Sequence, residues 1–225
     1  MKSIQKMAKK RKLLHLLIRF TSWLIRVLVA LVVPVTLASA SDPSALPQSA
    51  KAPDAVAPSS AGQHWQVIES VLTHPRCVNC HTVTNYPRQG DDRHIHQFRV
   101  VRGPDDRGVP GARCAACHQE DNQPSSGVPG APNWRLAPVS MAFEHAPGVP
   151  MVGKALCERL LDKKRNGNLG LRGLELHLAR ESLVLWAWSP GTSKDGSPRL
   201  PPPVSQEELV AAFKAWAATG APCPK

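Results

Sequence analysis

The first 40 residues of this 225-residue chain lack acidic side chains, although they hold eight of its 28 lysine and arginine residues. The formal net charge of the whole chain is +11, a value that would suggest a nucleic-acid or acidic-surface partner. Residues 41–225 carry 20 basic and 17 acidic groups, for a net charge of +3. The basic character therefore belongs to the N-terminal segment, and it gives no support to a nucleic-acid function.

The N-terminal segment also lacks a hydrophobic run long enough to span a membrane. Its apolar stretch, residues 27–37, has 11 residues, whereas a membrane-spanning helix needs about 20. The lysine-rich start, the short apolar run and the small residues Ala38-Ser39-Ala40 are typical of a secretory signal peptide. We therefore expect residues 1–40 to be a signal peptide cleaved after Ala40, and the protein to be exported to the periplasm. An uncleaved N-terminal membrane anchor is the alternative.

Residues 41–62 consist largely of Pro, Ala and Ser and show no apolar periodicity. Such a composition is typical of a disordered linker. The folded part is expected to span residues 63–225, a normal size for a single domain.

The chain has only six cysteines, and four of them lie in two copies of the pentapeptide Cys-x-x-Cys-His, at residues 77–81 and 114–118. This pentapeptide is the attachment motif of c-type haem. Cysteines three apart share one face of a helical turn, so both sulfurs can add to the vinyl groups of one porphyrin. The histidine that follows is then placed to ligate the iron. The motifs predict two covalently attached haems, with thioethers from Cys77, Cys80, Cys114 and Cys117 and proximal iron ligands His81 and His118.

Two other interpretations of the motifs are weaker. Paired Cys-x-x-Cys motifs can hold a structural zinc, but a zinc site does not explain the histidine that follows each second cysteine. A dithiol redox pair of the thioredoxin type expects a βαβ context with strongly β-branched strands, which this sequence lacks.

The motifs do not specify the second, distal axial ligand of either iron. The best candidates are His96 and then His94, because they lie between the motifs in a segment expected to be coil. Two residues two apart also point to the same side of an extended chain. The alternative is that both are solvated loop histidines. Met141 and His177 are weaker distal candidates, and Arg88, Arg93 or Arg102 could pair with haem propionates.

The fold class we expect is mainly α with extensive coil, a dihaem cytochrome c-like single domain wrapped around two covalently bound haems. Residues 85–150 are rich in Pro, Gly and charge and cannot form long helices or a regular sheet. Helices are predicted at residues 65–72, 153–164, 171–188 and 205–218. The motifs begin 37 residues apart, too little for separate cytochrome domains, so the haems should lie close together.

The two cysteines outside the motifs, Cys157 and Cys223, are expected to form a structural disulfide. An oxidising compartment allows such a bond to persist. The bond would join the first and last helices of the C-terminal third.

The chain resembles a family of small exported cytochrome proteins, commonly labelled isoquinoline 1-oxidoreductase subunit, over residues 64–225. The resemblance is strongest from His74 to Glu144, in the sequences HPRCVNCHTVTNYPRQGDDRHIHQFRVVRGPDDRGVPGARCAACHQEDN and SGVPGAPNWRLAPVSMAFE. It implies a partner enzyme, a molybdenum hydroxylase of the xanthine-dehydrogenase class, that passes electrons to this cytochrome. Nothing in the chain matches a molybdopterin site, so the resemblance implies an electron acceptor and not the hydroxylase itself.

The sequence therefore predicts an electron carrier and not an enzyme: a periplasmic dihaem cytochrome c that relays electrons from a dehydrogenase or hydroxylase towards the respiratory chain. The alternative is a dihaem peroxidase-like enzyme with one haem open to hydrogen peroxide. That enzyme would need a distal acid–base group and a vacant or displaceable sixth coordination position. No glutamate-plus-aromatic distal motif is evident in the sequence.

Overall fold

A computed structural model describes residues 60–225 of the chain. The predicted signal peptide, its cleavage site and most of the predicted linker lie outside the described residues. The first helix begins at Ser60, so the last three residues of the predicted linker are helical. Within residues 60–225, no helix has the length and apolar character needed to cross a bilayer.

The core forms where the first helix, α1 (Ser60–Leu72), packs against the last helix, α6 (Gln206–Ala218). The apolar residues of both helices recur at three- and four-residue spacing, which places them on one face. Trp65 of α1 and Trp216 of α6 meet with ring centroids 5.3 Å apart, and Phe213 lies against Trp216 at 5.5 Å. Ser205 caps α6, because its hydroxyl accepts a hydrogen bond from the Glu208 backbone N–H at 3.1 Å.

Four further helices lie between α1 and α6 in the described part of the chain. They are α2 (Pro75–Val78), α3 (Gly153–Leu161), α4 (Leu171–Arg180) and α5 (Ser182–Trp186).

The single helix predicted at residues 171–188 is wrong, because the chain breaks at Glu181, which has the extended dihedrals φ −69° and ψ 127°. The break turns Trp186 towards Asn122, whose side-chain oxygen accepts a hydrogen bond from the indole N–H at 2.9 Å. Ser182 donates to the Pro132 carbonyl at 2.9 Å. These tertiary contacts outweigh the helix propensity of the segment.

The stretch between α2 and α3 contains short antiparallel ribbons joined by coil. They pair β1 (Arg88–Gln89) with β2 (His94–Ile95), β3 (Gly108–Val109) with β4 (Ala112–Arg113), and β5 (Glu144–Ala146) with β6 (Val149–Pro150). The absence of a long helix or regular sheet in residues 85–150 agrees with the proline- and glycine-rich composition.

The C-terminal tail folds back onto α3. The structure joins Cys157 in α3 to Cys223 by a disulfide, with a Cα–Cα distance of 5.5 Å. Trp216 donates its indole N–H to the Pro222 carbonyl at 3.0 Å, which holds the tail beside α6. Gly220 has φ +86°, a left-handed conformation that is common in the residue just beyond a helix C-terminus.

Candidate functional site

The first Cys-x-x-Cys-His motif is built on the short helix α2. His74 caps this helix, with its ring Nδ1 accepting a hydrogen bond from the Arg76 N–H at 3.3 Å, and Pro75 occupies the first turn. The Cys77 carbonyl accepts from the backbone N–H groups of Cys80, at 3.2 Å, and His81, at 3.0 Å. The turn therefore carries both thiols and leads directly into the histidine.

The second motif has the same local backbone, although it is built on a 3₁₀ turn, Cys114–Ala116. The Cys114 carbonyl accepts from Cys117 at 3.2 Å and from His118 at 2.9 Å. None of the four motif cysteines is in a disulfide, so their thiols remain available for thioether bonds.

Both motif histidines are oriented by a backbone carbonyl. His81 Nδ1 donates to the Met141 carbonyl at 2.7 Å, and His118 Nδ1 donates to the Pro129 carbonyl at 2.7 Å. A hydrogen bond from one ring nitrogen fixes the tautomer and leaves the other nitrogen, Nε2, with its lone pair available to a metal. Such a donor to a carbonyl is the usual support of a metal-ligating histidine.

An aromatic ring stacks on each of these histidines. Phe143 lies parallel to His81, with centroids 4.1 Å apart and planes 4° apart. Trp134 lies parallel to His118 in the same way, at 4.4 Å and 5°. Each imidazole is thus held by one hydrogen bond and one stacked ring, which restricts its rotation.

The titration behaviour of these groups follows from their burial. Burial lowers the pKa of His81 to about 4 and that of His118 to about 4, so both rings are neutral at neutral pH. Burial also raises the pKa of the Cys77 thiol to about 12 and that of Cys80 to about 11.

The two motifs lie close together, as their short separation in sequence predicts. Cys80 and Cys114 are near enough for the charge of one to raise the pKa of the other. The β1–β2 ribbon also contacts the first motif, since the Arg88 N–H donates to the Asn79 carbonyl at 3.2 Å.

His96 is the predicted distal candidate that the structure brings to a motif histidine. Its ring centroid lies 5.9 Å from that of His118. Two imidazoles that bind one metal ion from opposite sides, each through a nitrogen about 2 Å away, have ring centroids roughly 6 Å apart. His96 Nδ1 donates to the Gln97 carbonyl at 2.6 Å, which leaves its Nε2 available as well.

The other three distal candidates differ in their surroundings. His94 is half-exposed and donates from Nδ1 to the Asp92 carboxylate at 2.5 Å, as a solvated loop histidine would. Met141 offers its carbonyl to His81 Nδ1, so its backbone lies on the side of the ring that faces away from Nε2. His177 on α4 is half-buried, forms no ring hydrogen bond within residues 60–225, and lies near enough to His81 for its charge to lower the pKa of that histidine.

The three arginines considered for propionate binding also differ. Arg93 forms an ion pair with the buried carboxylate of Glu144. Arg102 binds Asp106 at 2.6 Å and donates to the carbonyls of Thr82 and Thr84. Arg88 has no carboxylate within 4 Å in the part of the chain that the structure describes.

Two features of the described residues are compatible with an attached haem. Arg88, Arg93 and Arg102 each have a buried Nε atom without a hydrogen-bond partner, and all three lie between the two motifs in the sequence. Unmet buried donors are costly, and a propionate-bearing group would supply acceptors. The second feature is the apolar helix α5, which directly follows α4, the helix that carries His177. None of the residues of α5 is buried, and the Leu185 side chain is 41% exposed. Among residues 60–225, no group of three or more His, Cys, Asp or Glu side chains converges as a metal site.

Sequence reasoning missed the supporting residues of both histidines. Phe143 and Trp134 come 62 and 16 residues after the histidines on which they stack. The acceptors at Met141 and Pro129 are backbone carbonyls, which any residue type could supply. No local pattern marks such residues, because the chain fold alone brings them to the motifs.

Comparison with known proteins returned no match to a protein family, to a curated protein or to a solved structure.

Proposed function

We propose that this chain is an exported dihaem c-type cytochrome that transfers single electrons between redox proteins. One observation carries the proposal: the same construction occurs twice. Each Cys-x-x-Cys-His turn ends in a neutral histidine whose Nδ1 donates to a backbone carbonyl and whose ring is stacked on an aromatic side chain. A solvated histidine has no need of both supports, whereas a metal ligand benefits from each.

The chain's own groups have distinct roles in this proposal. Cys77 and Cys80 form the thioethers of the first site, and Cys114 and Cys117 form those of the second. His81 and His118 ligate iron through Nε2, and their hydrogen bonds to carbonyls raise the basicity of the imidazoles. When bound, haem supplies a reversible one-electron couple at its iron, with a potential set by the axial ligands and the surroundings.

The distal ligands we propose are His96 for the second site and His177 for the first. The 5.9 Å spacing of His96 and His118 supports the former. The unbonded ring of His177 and its electrostatic contact with His81 support the latter. Two histidines on each iron would leave no open coordination position, which favours electron transfer over the peroxidase alternative.

The electron donor we propose is an exported molybdenum hydroxylase of the xanthine-dehydrogenase class, and the acceptor lies towards the respiratory chain. This part of the proposal is supported only by the family resemblance of residues 64–225. A carrier of this kind docks weakly and transiently, because it must release each partner.

Ferric and ferrous spectra of the purified periplasmic protein, together with a peroxide turnover assay, test the function. We expect low-spin iron in both states, full reduction and reoxidation of both haems, and no turnover of hydrogen peroxide above that of free haem. A high-spin ferric component with peroxide turnover would instead support the dihaem peroxidase. A protein with no haem spectrum would overturn both.

A further inference from the structure

Arg199, in the coil before α6, is a half-buried cation without a carboxylate partner. Within the described residues, no Asp or Glu oxygen lies within 4 Å of its guanidinium. It instead donates to the carbonyls of Pro190 at 2.9 Å, Thr192 at 2.5 Å and Gly127. Charged groups taken out of water are normally paired with an opposite charge. The Arg199 guanidinium lacks such an anion within the described residues.

The hydrogen bonds that Arg199 makes leave a specific pair of donors unused. Both N–H groups of Nη1 bind carbonyls, and one N–H of Nη2 binds a third. Of the five N–H donors of an arginine, the remaining two are Nε–H and one N–H of Nη2. These two donors are available to the oxygens of a carboxylate.

The position of Arg199 relates it to the second motif. The Gly127 carbonyl that it binds is two residues from the Pro129 carbonyl that orients His118. Arg76 Nε donates to the carbonyl of Leu200, the residue after Arg199, at 3.0 Å, but the Arg76 guanidinium is ion-paired with Asp91, so Arg199 is the cation left without a carboxylate here.

From this arrangement we infer that Arg199 binds a propionate of the haem attached at Cys114 and Cys117. The inference rests on the proposed function, since the propionate belongs to the haem. It goes beyond the arginines that the sequence suggested, because Arg199 lies 81 residues after His118. A fixed positive charge at the porphyrin edge favours the ferrous state, so Arg199 should raise the potential of this haem.

Spectroelectrochemical titration of the holoprotein with Arg199 replaced tests this inference. Thioether attachment keeps both haems on the chain whatever happens to the propionates. In Arg199→Gln we expect the ratio of reduced to oxidised second haem to fall about tenfold at a fixed applied potential, which equals 59 mV for one electron. Arg199→Lys should restore most of the ratio, because it keeps the charge. The exposed Lys194→Gln, five residues away in the same coil, should leave both haems unchanged.

A merely structural role for Arg199 predicts a different result. Loss of its three carbonyl bonds would loosen the loop that orients His118, and the ferric spectrum would then gain a high-spin component in Gln and Lys variants alike. The resonance Raman band of propionate bending supplies a second readout, and we expect it to shift for one haem in Arg199→Gln. Unchanged potentials and an unchanged propionate band in a variant with two haems would overturn the inference. A wild-type protein without covalent haem would overturn the proposed function instead.

Discussion

The most informative single substitution is His96→Ala, because His96 lies beside His118 in the structure. If His96 is the distal ligand of the second iron, its removal leaves that iron with five ligands. The first iron keeps both of its own ligands, because His96 does not contact His81 in the described residues. The substitution should therefore affect one haem of two.

The expected magnitude follows from this stoichiometry. Half of the total haem should become high-spin in the ferric state, and the reduced protein should bind one carbon monoxide molecule per chain. The matched control is His94→Ala, which removes a half-exposed histidine from the same ribbon with a hydrogen bond only to Asp92. This control should bind no carbon monoxide and should keep the wild-type spectrum.

Optical titration of the dithionite-reduced protein with carbon monoxide measures the stoichiometry, and electron paramagnetic resonance of the ferric protein measures the spin state. A low-spin His96→Ala protein that binds no carbon monoxide would refute the assignment of His96. Carbon monoxide binding in His94→Ala but not in His96→Ala would transfer the role to His94. Binding of two molecules per chain in His96→Ala would refute the independence of the two sites.

Three further predictions concern the rest of the fold. His177→Ala should also produce one carbon monoxide site per chain, and the double variant with His96→Ala should produce two. A low-spin His177→Ala protein that binds no carbon monoxide would refute His177 as the first distal ligand. Cys223→Ser should lower the free energy of unfolding by about 4 kcal/mol, since the Cys157–Cys223 bond closes a loop of 66 residues. Denaturant titration measures this free energy. Two free thiols in the unreduced wild type would contradict the disulfide. Burial alone would raise the pKa of Glu144, but hydrogen bonds from Thr82 and Arg93 hold this pKa below its usual value. The ionised carboxylate of Glu144 therefore stabilises the fold at neutral pH. This stabilisation is lost as the pH falls below roughly 4. Thermal melts should therefore show Glu144→Gln less stable than wild type at pH 7, with the difference shrinking in acid; a constant difference would argue against the ion pair with Arg93.

The sequence predicts the local parts of the candidate site well, because they depend on short-range geometry. Both Cys-x-x-Cys-His turns have the expected helical or 3₁₀ backbone, since the motif itself spans one turn. The capping residue Ser205 and the end of α6 near Gly220 follow from chemistry within four residues. The pairing of Cys157 with Cys223 follows by elimination, because they are the only cysteines outside the motifs.

The long-range parts could not be predicted, because no periodicity encodes them. The break at Glu181 depends on contacts of Trp186 with Asn122, which is 64 residues earlier in the chain. The carbonyl of Pro129 and the ring of Trp134 act on His118 only because the coil returns to the motif. The position of Arg199 near the same histidine likewise depends on the tertiary path of the segment before α6.

Intact mass spectrometry of the purified, denatured protein is the decisive measurement for covalent haem attachment. We expect a polypeptide that carries the added mass of two haems and a pyridine haemochrome spectrum of the c type. Replacement of both Cys114 and Cys117 by alanine should leave one haem. An unmodified polypeptide mass, or tightly bound zinc in place of haem, would rule out a dihaem c-type cytochrome.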